Sequence, residues 1–263
     1  MVLRRPALRA APGPLSDVLL FFGQLFLLTT ETLWYIVRGR VSVKATIRQM
    51  AEVGVGSLVV ALITVGFSGA VAALYLAAQL VLYGQGSYAG LLVGQSLALE
   101  IAPVITAIVV AARSGSAMAA ELGSMTVTEQ VDALKTMATS PVEYLVVPRV
   151  VGTVIMMPIV TVLANLAGLY GASLTSEMGG VSHALFWSSF QRMDIASQMD
   201  GLAKAIPFGF LIAIIGCRQG LATTGGAQGV GRATTSAVVF GSIAIYVVDF
   251  FISLILQDGA KLQ

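Results

Sequence analysis

Two long runs of this chain, residues 53–99 and residues 150–176, contain no Asp, Glu, Lys or Arg. A bilayer core about 30 Å thick is crossed by about 20 apolar residues in a helix. In lipid the backbone must satisfy its own hydrogen bonds, which leaves helices and closed barrels. Barrel strands alternate apolar and polar residues, and these runs do not. The chain is therefore predicted to be all-α, a polytopic helical membrane protein. Its 263 residues are 57% apolar and 11% charged, against roughly 25% charged in soluble domains.

Five spans are expected within a transmembrane domain of residues 53–257. The first lies in 54–83, where Gly66 and Gly69 invite a kink. The second runs from 89 to 112, and the third from 150 to 176 with Pro158 as a kink. The fourth must fit around Lys204 and Arg218, which are separated by 13 residues. One of them sits at membrane depth or snorkels to a surface. The fifth runs from 233 to 257. The loop 177–198 carries His183, Phe186, Trp187 and Phe190, residues suited to a headgroup interface.

Residues 18–30 are uncharged over only 13 positions. The region 15–52 is thus read as an amphipathic helix in the cytoplasmic interface, anchored by Trp34 and Tyr35, with a sixth span as the competing reading. Residues 1–14 form a retained tail rather than a cleaved leader, and residues 258–263 form a short C-terminal tail.

Charge sets the orientation. With the N-terminus inside, twelve of the fifteen Lys and Arg fall on the cytoplasmic side, leaving Arg192, Lys204 and Lys261 outside or near it. That asymmetry satisfies the positive-inside rule. It places the N-terminus in the cytoplasm, the C-terminus on the far side, and a polar island at 121–137 in the cytoplasm. Within the island, Thr126 and Glu129 have capping-box spacing. Val131, Leu134 and Ala138 recur at helical spacing, with Glu129, Asp132 and Lys135 on other faces. Pro141 ends the segment. A helix of about three turns over 126–138 is too short to span and suits docking on a partner.

Catalytic chemistry has little support. No lysine follows a glycine, so the phosphate-binding Gly-Lys of a Walker A loop is missing, and any ATP hydrolysis must come from another chain. There is no Gly-x-Ser-x-Gly elbow. The one histidine and the one cysteine exclude a metal site built from several of either,. No nucleic-acid motif is present. Glu100, Lys204 and Asp249 are the charges inside the spans, and such residues usually face a cavity or one another. They either line a polar chamber or form a purely structural ion pair, and Lys204 alone could snorkel. Gly86, Gly90 and Gly94 have the spacing of close helix packing. The Gly-rich stretch 218–232 follows no strand, so it reads as a flexible or tightly turned inner loop.

Two motifs resemble those of MlaE/YrbE permeases. The first runs from Glu121, Leu122, Gly123, Ser124 and Met125 through Thr128–Leu134 to Pro141, Pro148 and Arg149. The second occupies 222–235. The likeness covers about residues 15–257, while 1–14 match nothing in it. The resemblance implies a permease subunit of an ABC transporter in the bacterial inner membrane, moving phospholipid between inner and outer membranes. It implies a homodimer, a cytoplasmic ATPase that binds ATP and Mg, often a STAS-domain subunit, and a periplasmic MCE-domain hexamer. This chain itself would bind no cofactor. Carried over, Glu121, Gly123, Thr126, Thr128, Glu129, Asp132 and Leu134 belong to the coupling helix. Glu100, Lys204 and Asp249 fall near the lipid cavity. A stand-alone transporter with a Glu100/Asp249 proton relay, and a membrane scaffold, are the alternatives.

Overall fold

In the computed structural model helix accounts for 88% of the described residues, and there is no strand among them. The structure describes residues 14–260, with side chains from 18 to 256. The tail expected at 1–14 therefore lies outside the described residues except for Pro14. Residues 258–260 continue the last helix, and the rest of that expected tail lies outside.

The helices are α1 (Pro14–Val37), α2 (Val43–Leu82), α3 (Ala89–Ser96), α4 (Ala102–Val110), α5 (Ser116–Val127) and α6 (Gln130–Thr136). They are followed by α7 (Val147–Ser176), α8 (His183–Phe190), α9 (Ile195–Leu221) and α10 (Gly226–Ala260). Two π-helical turns, Leu97–Ile101 and Ala111–Gly115, join α3, α4 and α5 into one rod, Gly86–Val127. In the first, the Ala102 N–H reaches back to the Leu97 carbonyl. Pro103 follows at once; lacking an N–H, it cannot serve the carbonyl four residues earlier, and the wider turn accommodates that loss. A third π turn, Val142–Val146, precedes Pro148 in the same way.

Among the described residues six helices are long and apolar enough to cross a membrane: five hold the expected spans, and the sixth, Val18–Val37, is the segment for which an interfacial helix and a further span were the competing readings. The apolar segment does not stop at residue 30, because Thr30 and Thr32 turn their hydroxyls onto the Leu27 and Leu28 carbonyls and the helix continues. The division at 52/53 falls inside α2, which runs unbroken over 40 residues. Helix α2 also passes Gly66 and Gly69 without a break. Those glycines are contact points rather than hinges.

The contacts of α2 fall on α7, which lies parallel to it: Gln49 meets Gly152, Val65 meets Gly168, Gly66 meets Gly171, and Ala77 meets Gly179. The Thr175 hydroxyl donates to the Ala70 carbonyl at 2.8 Å. A Cβ on Gly69 would land on the backbone of Gly168. The rod α3–α5 pairs in parallel with α9 by the same device: Ala98 against Gly201, Gly115 against Gly216, and Leu122 against Gly220. Helices α2, α7 and α10 thus point one way, and the rod and α9 the other. Helix α6 and the turn at 222–225 share one end of the bundle, while α8 lies at the other.

Helix α1 lies against α9 and the start of α7. The Arg218 guanidinium donates to Gln24 Oε1 at 2.8 Å and stacks 4.3 Å from the Phe21 ring. The expected loop at 177–198 is largely helical. Phe186 is fully buried in the core rather than placed at a surface.

Gly69→Ala should lower unfolding stability in detergent by about 1–3 kcal/mol, because overpacking forces two backbones apart. Gly23→Ala, with nothing within 4 Å of its new methyl, should be neutral or slightly stabilising. Equal melting temperatures for the two variants would remove the close-packing role.

Candidate functional site

The side chain of Lys204 is 1% exposed. An ammonium has three N–H groups, and all three are used: on Glu100 Oε1 at 2.7 Å, Asp249 Oδ1 at 3.0 Å and Ser253 Oγ at 2.8 Å. The Ser253 hydroxyl donates in turn to Glu100 Oε1 at 3.0 Å. The three charges picked out in the sequence are therefore neighbours, and Lys204 pairs instead of snorkelling. Ser253 was missed, although it lies one helical turn beyond Asp249 on α10, on the same face.

The cluster is asymmetric. The Glu100 side chain is 49% exposed and that of Asp249 is 14% exposed. Lysine sits behind, and the half-exposed Glu100 carboxylate faces outward from the packed helices. With both acids ionised the cluster carries one net negative charge. A carboxylate facing lipid tails is costly, so this flank calls for water, a ligand or another polar surface.

The polar island differs from its expected form. Thr126 belongs to the last turn of α5. Its hydroxyl donates to the Leu122 carbonyl at 2.7 Å and lies 3.3 Å from the Gly220 carbonyl, so there is no capping box. Glu129 has φ of 59° and breaks the helix between α5 and α6. Helix α6 has seven residues, about 10 Å at 1.5 Å per residue. It closes with a Schellman motif, in which Ala138 N–H meets the Lys135 carbonyl and Thr139 N–H the Leu134 carbonyl,. Ala138, expected in the helix, takes the left-handed position with φ of 56°.

The candidate coupling residues fall into two groups. Gly123 and Thr126 face inward, Gly123 packing on Thr223, while Glu121, its side chain 53% exposed, accepts through Oε2 from buried Arg149 at 2.6 Å. Val131 is buried and Leu134 packs against the core, holding α6 in place. Thr128, Glu129 and Asp132 are exposed at the tip, with Met137 at 74% exposure beside them. Asp132 pairs with Lys135 at 2.6 Å on the open surface.

Gly90 and Gly94 pack against α8, where a Cβ would strike the Phe186 carbonyl or the Phe190 ring, while Gly86 lies against Val81. The stretch 218–232 is mostly helix, with a tight turn at 222–225; Gly225 in that turn and Gly226 at the start of α10 have φ of 87° and 68°. Among the described residues no group of three or more His, Cys, Asp or Glu is placed to hold a metal.

The family model described as Permease MlaE matches residues 46–255. A probable ABC transporter permease protein of Synechocystis sp. is 42% identical over 252 residues, which is 94% of this chain and 96% of that protein. One from Rickettsia typhi is 39% identical over 223 residues, 84% and 86% of the two. The chloroplastic protein TRIGALACTOSYLDIACYLGLYCEROL 1 of Arabidopsis thaliana is 36% identical over 230 residues, 86% of this chain and 65% of that protein.

Lys204→Met leaves Glu100 and Asp249 facing each other without a cation. Breaking a buried pair costs about 3–5 kcal/mol, and the exposure of Glu100 should bring the loss to the lower end. The triple change Lys204→Met, Glu100→Gln, Asp249→Asn should recover most of it. If Lys204→Met melts with the unaltered protein, the ion cluster does not hold these helices.

Proposed function

The chain belongs to the MlaE permease family and is an integral-membrane permease subunit of the ABC transporter class; from that premise we propose that it moves phospholipid between the inner and outer membranes of a bacterium. Two copies would enclose a cavity into which Glu100 faces, with the N-terminus in the cytoplasm and the C-terminus in the periplasm. A separate cytoplasmic ATPase, binding ATP and Mg, would dock on the exposed tip of α6. A STAS-domain subunit would accompany it, and a periplasmic MCE-domain hexamer would exchange lipid with the cavity. Helix α1 would lie along the cytoplasmic interface.

The half-exposed carboxylate of Glu100, held over a fully buried lysine within a membrane-spanning helix, carries this reading. Such a group needs a polar counterpart, and a lipid headgroup between two copies supplies one. Because Lys204 has no N–H left to offer, the cluster would meet the headgroup through its carboxylates. An amine-bearing headgroup fits that contact better than an anionic one. The Arabidopsis relative is named for a diacylglycerol lipid, which favours a glycerolipid cargo. A secondary transporter with a proton relay needs no ATPase, and membership of an ABC permease family counts against it.

Reversing charge at the tip, in Glu129→Lys with Asp132→Lys, should abolish co-purification of the ATPase while leaving the permease folded. Undiminished co-purification and transport would remove α6 as the docking element. Glu100→Gln should reduce the preference for amine-bearing over anionic lipid in a vesicle exchange assay at least threefold. An unchanged preference would remove the proposed headgroup contact.

A further inference from the structure

Thr161 and Asn165 stand one turn apart on α7, and each has a buried side-chain oxygen without a hydrogen-bond partner. A helical threonine usually escapes that penalty by donating to the carbonyl four residues earlier. Thr64, Thr126 and Thr153 do so here, and Thr161 does not. Thr161 is 3% exposed. Both side chains line a cleft of about 340 Å³ between α7, α8 and α9, walled by Trp187, Phe190, Gln198 and Leu202. No charged residue lines it. Buried polar atoms left unpaired call for an occupant or ordered water to complete them.

The cleft is separate from the charge cluster. Leu202 and Lys204 are two residues apart on α9, about 200° around the helix, so they face opposite flanks. Leu166 and Met199, at 57% and 55% exposure, line the same cleft and open it onto the apolar exterior. A volume near the small end of the roughly 300–1,000 Å³ of ligand pockets holds part of a lipid and not all of it.

We propose that this cleft binds the ester-linked backbone and adjoining acyl chain of a membrane glycerolipid. The Thr161 hydroxyl donates to one ester carbonyl, an ordered water donates both to Asn165 Oδ1 and to the second ester carbonyl, and Trp187, Phe190 and Leu202 supply an apolar wall for the chain. The absence of charge in the lining directs the phosphate and any amine outside the cleft. The inference is independent of the headgroup contact proposed at Glu100.

Trp187 is one of two tryptophans, and the other, Trp34 of α1, carries the Arg38 guanidinium over its ring. In a Trp34→Phe background, purified chain in mild detergent is titrated with a dibrominated-acyl phosphatidylcholine, whose bromines quench tryptophan on contact. Saturable quenching of Trp187 is expected, with half-saturation raised at least threefold by Thr161→Val together with Asn165→Leu. Thr161→Val alone is close to isosteric and keeps the test open if the pair folds poorly. Gly23→Ala, remote from both sites and with nothing within 4 Å of its new methyl, should leave the titration unchanged, and Trp187 quenching is read apart from the headgroup preference that tests the charge cluster. Quenching that never saturates, or a half-saturation indifferent to Thr161 and Asn165, overturns the proposal. So does a Trp187 shielded because a second copy covers the cleft.

Discussion

A buried ammonium among apolar helices is tolerated only when its donors are met, because desolvating it costs several kcal/mol on the order of what a whole domain has to spare. Lys204 meets that condition with three acceptors drawn from two other elements, the rod α3–α5 and α10. The register of α9 against both is thereby fixed. Sliding either helix by one residue would rotate an acceptor by about 100° and leave the charge unpaired.

Close backbone approach makes the cluster possible. Gly201, one turn before Lys204, lies against the carbonyl of Ala98, two residues before Glu100. Any side chain at Gly201 would push α9 away from the rod and lengthen the contact between Lys204 and Glu100. The π turn at Leu97–Ile101 places Glu100 at this crossing, next to the proline that removes a backbone donor. Packing and polar chemistry are thus coupled at one point. The same principle recurs at the other end of the rod, where Gly123, Thr126, Gly220 and Thr223 tie the polar island to the end of α9.

The sequence made the membrane spans and the three intramembrane charges legible, because long uncharged runs and rare ionisable residues are direct physical signals. What stayed hidden was relational. Gly66 and Gly69 look alike as hinge or contact until Gly168 and Gly171, about 100 residues later in the chain, are seen to face them. Glu121 reads as a docking residue, and its ion pair with buried Arg149, 28 positions later, appears only once the fold brings the two together. The capping box failed because the Thr126 hydroxyl had a competing carbonyl within its own helix. The Ser/Thr-x-x-Glu spacing does not show where a helix starts. The π turns left no periodicity to read, since each shifts the helical phase by one residue. The orphaned oxygens of Thr161 and Asn165 emerge only once every neighbouring donor and acceptor has been placed.

Whether the charge cluster faces an aqueous cavity or is only an internal lock can be measured directly. Cys217 is the one cysteine and is buried, so Ser253→Cys adds a single reachable thiol at the cluster with little change in shape. In reconstituted vesicles, a membrane-impermeant charged thiol reagent should label Cys at 253 rapidly, and added phospholipid with an amine headgroup should slow the labelling. Labelling confined to lipophilic reagents, or a rate indifferent to lipid, would show that the cluster is sealed within the bundle and would contradict its role in handling cargo.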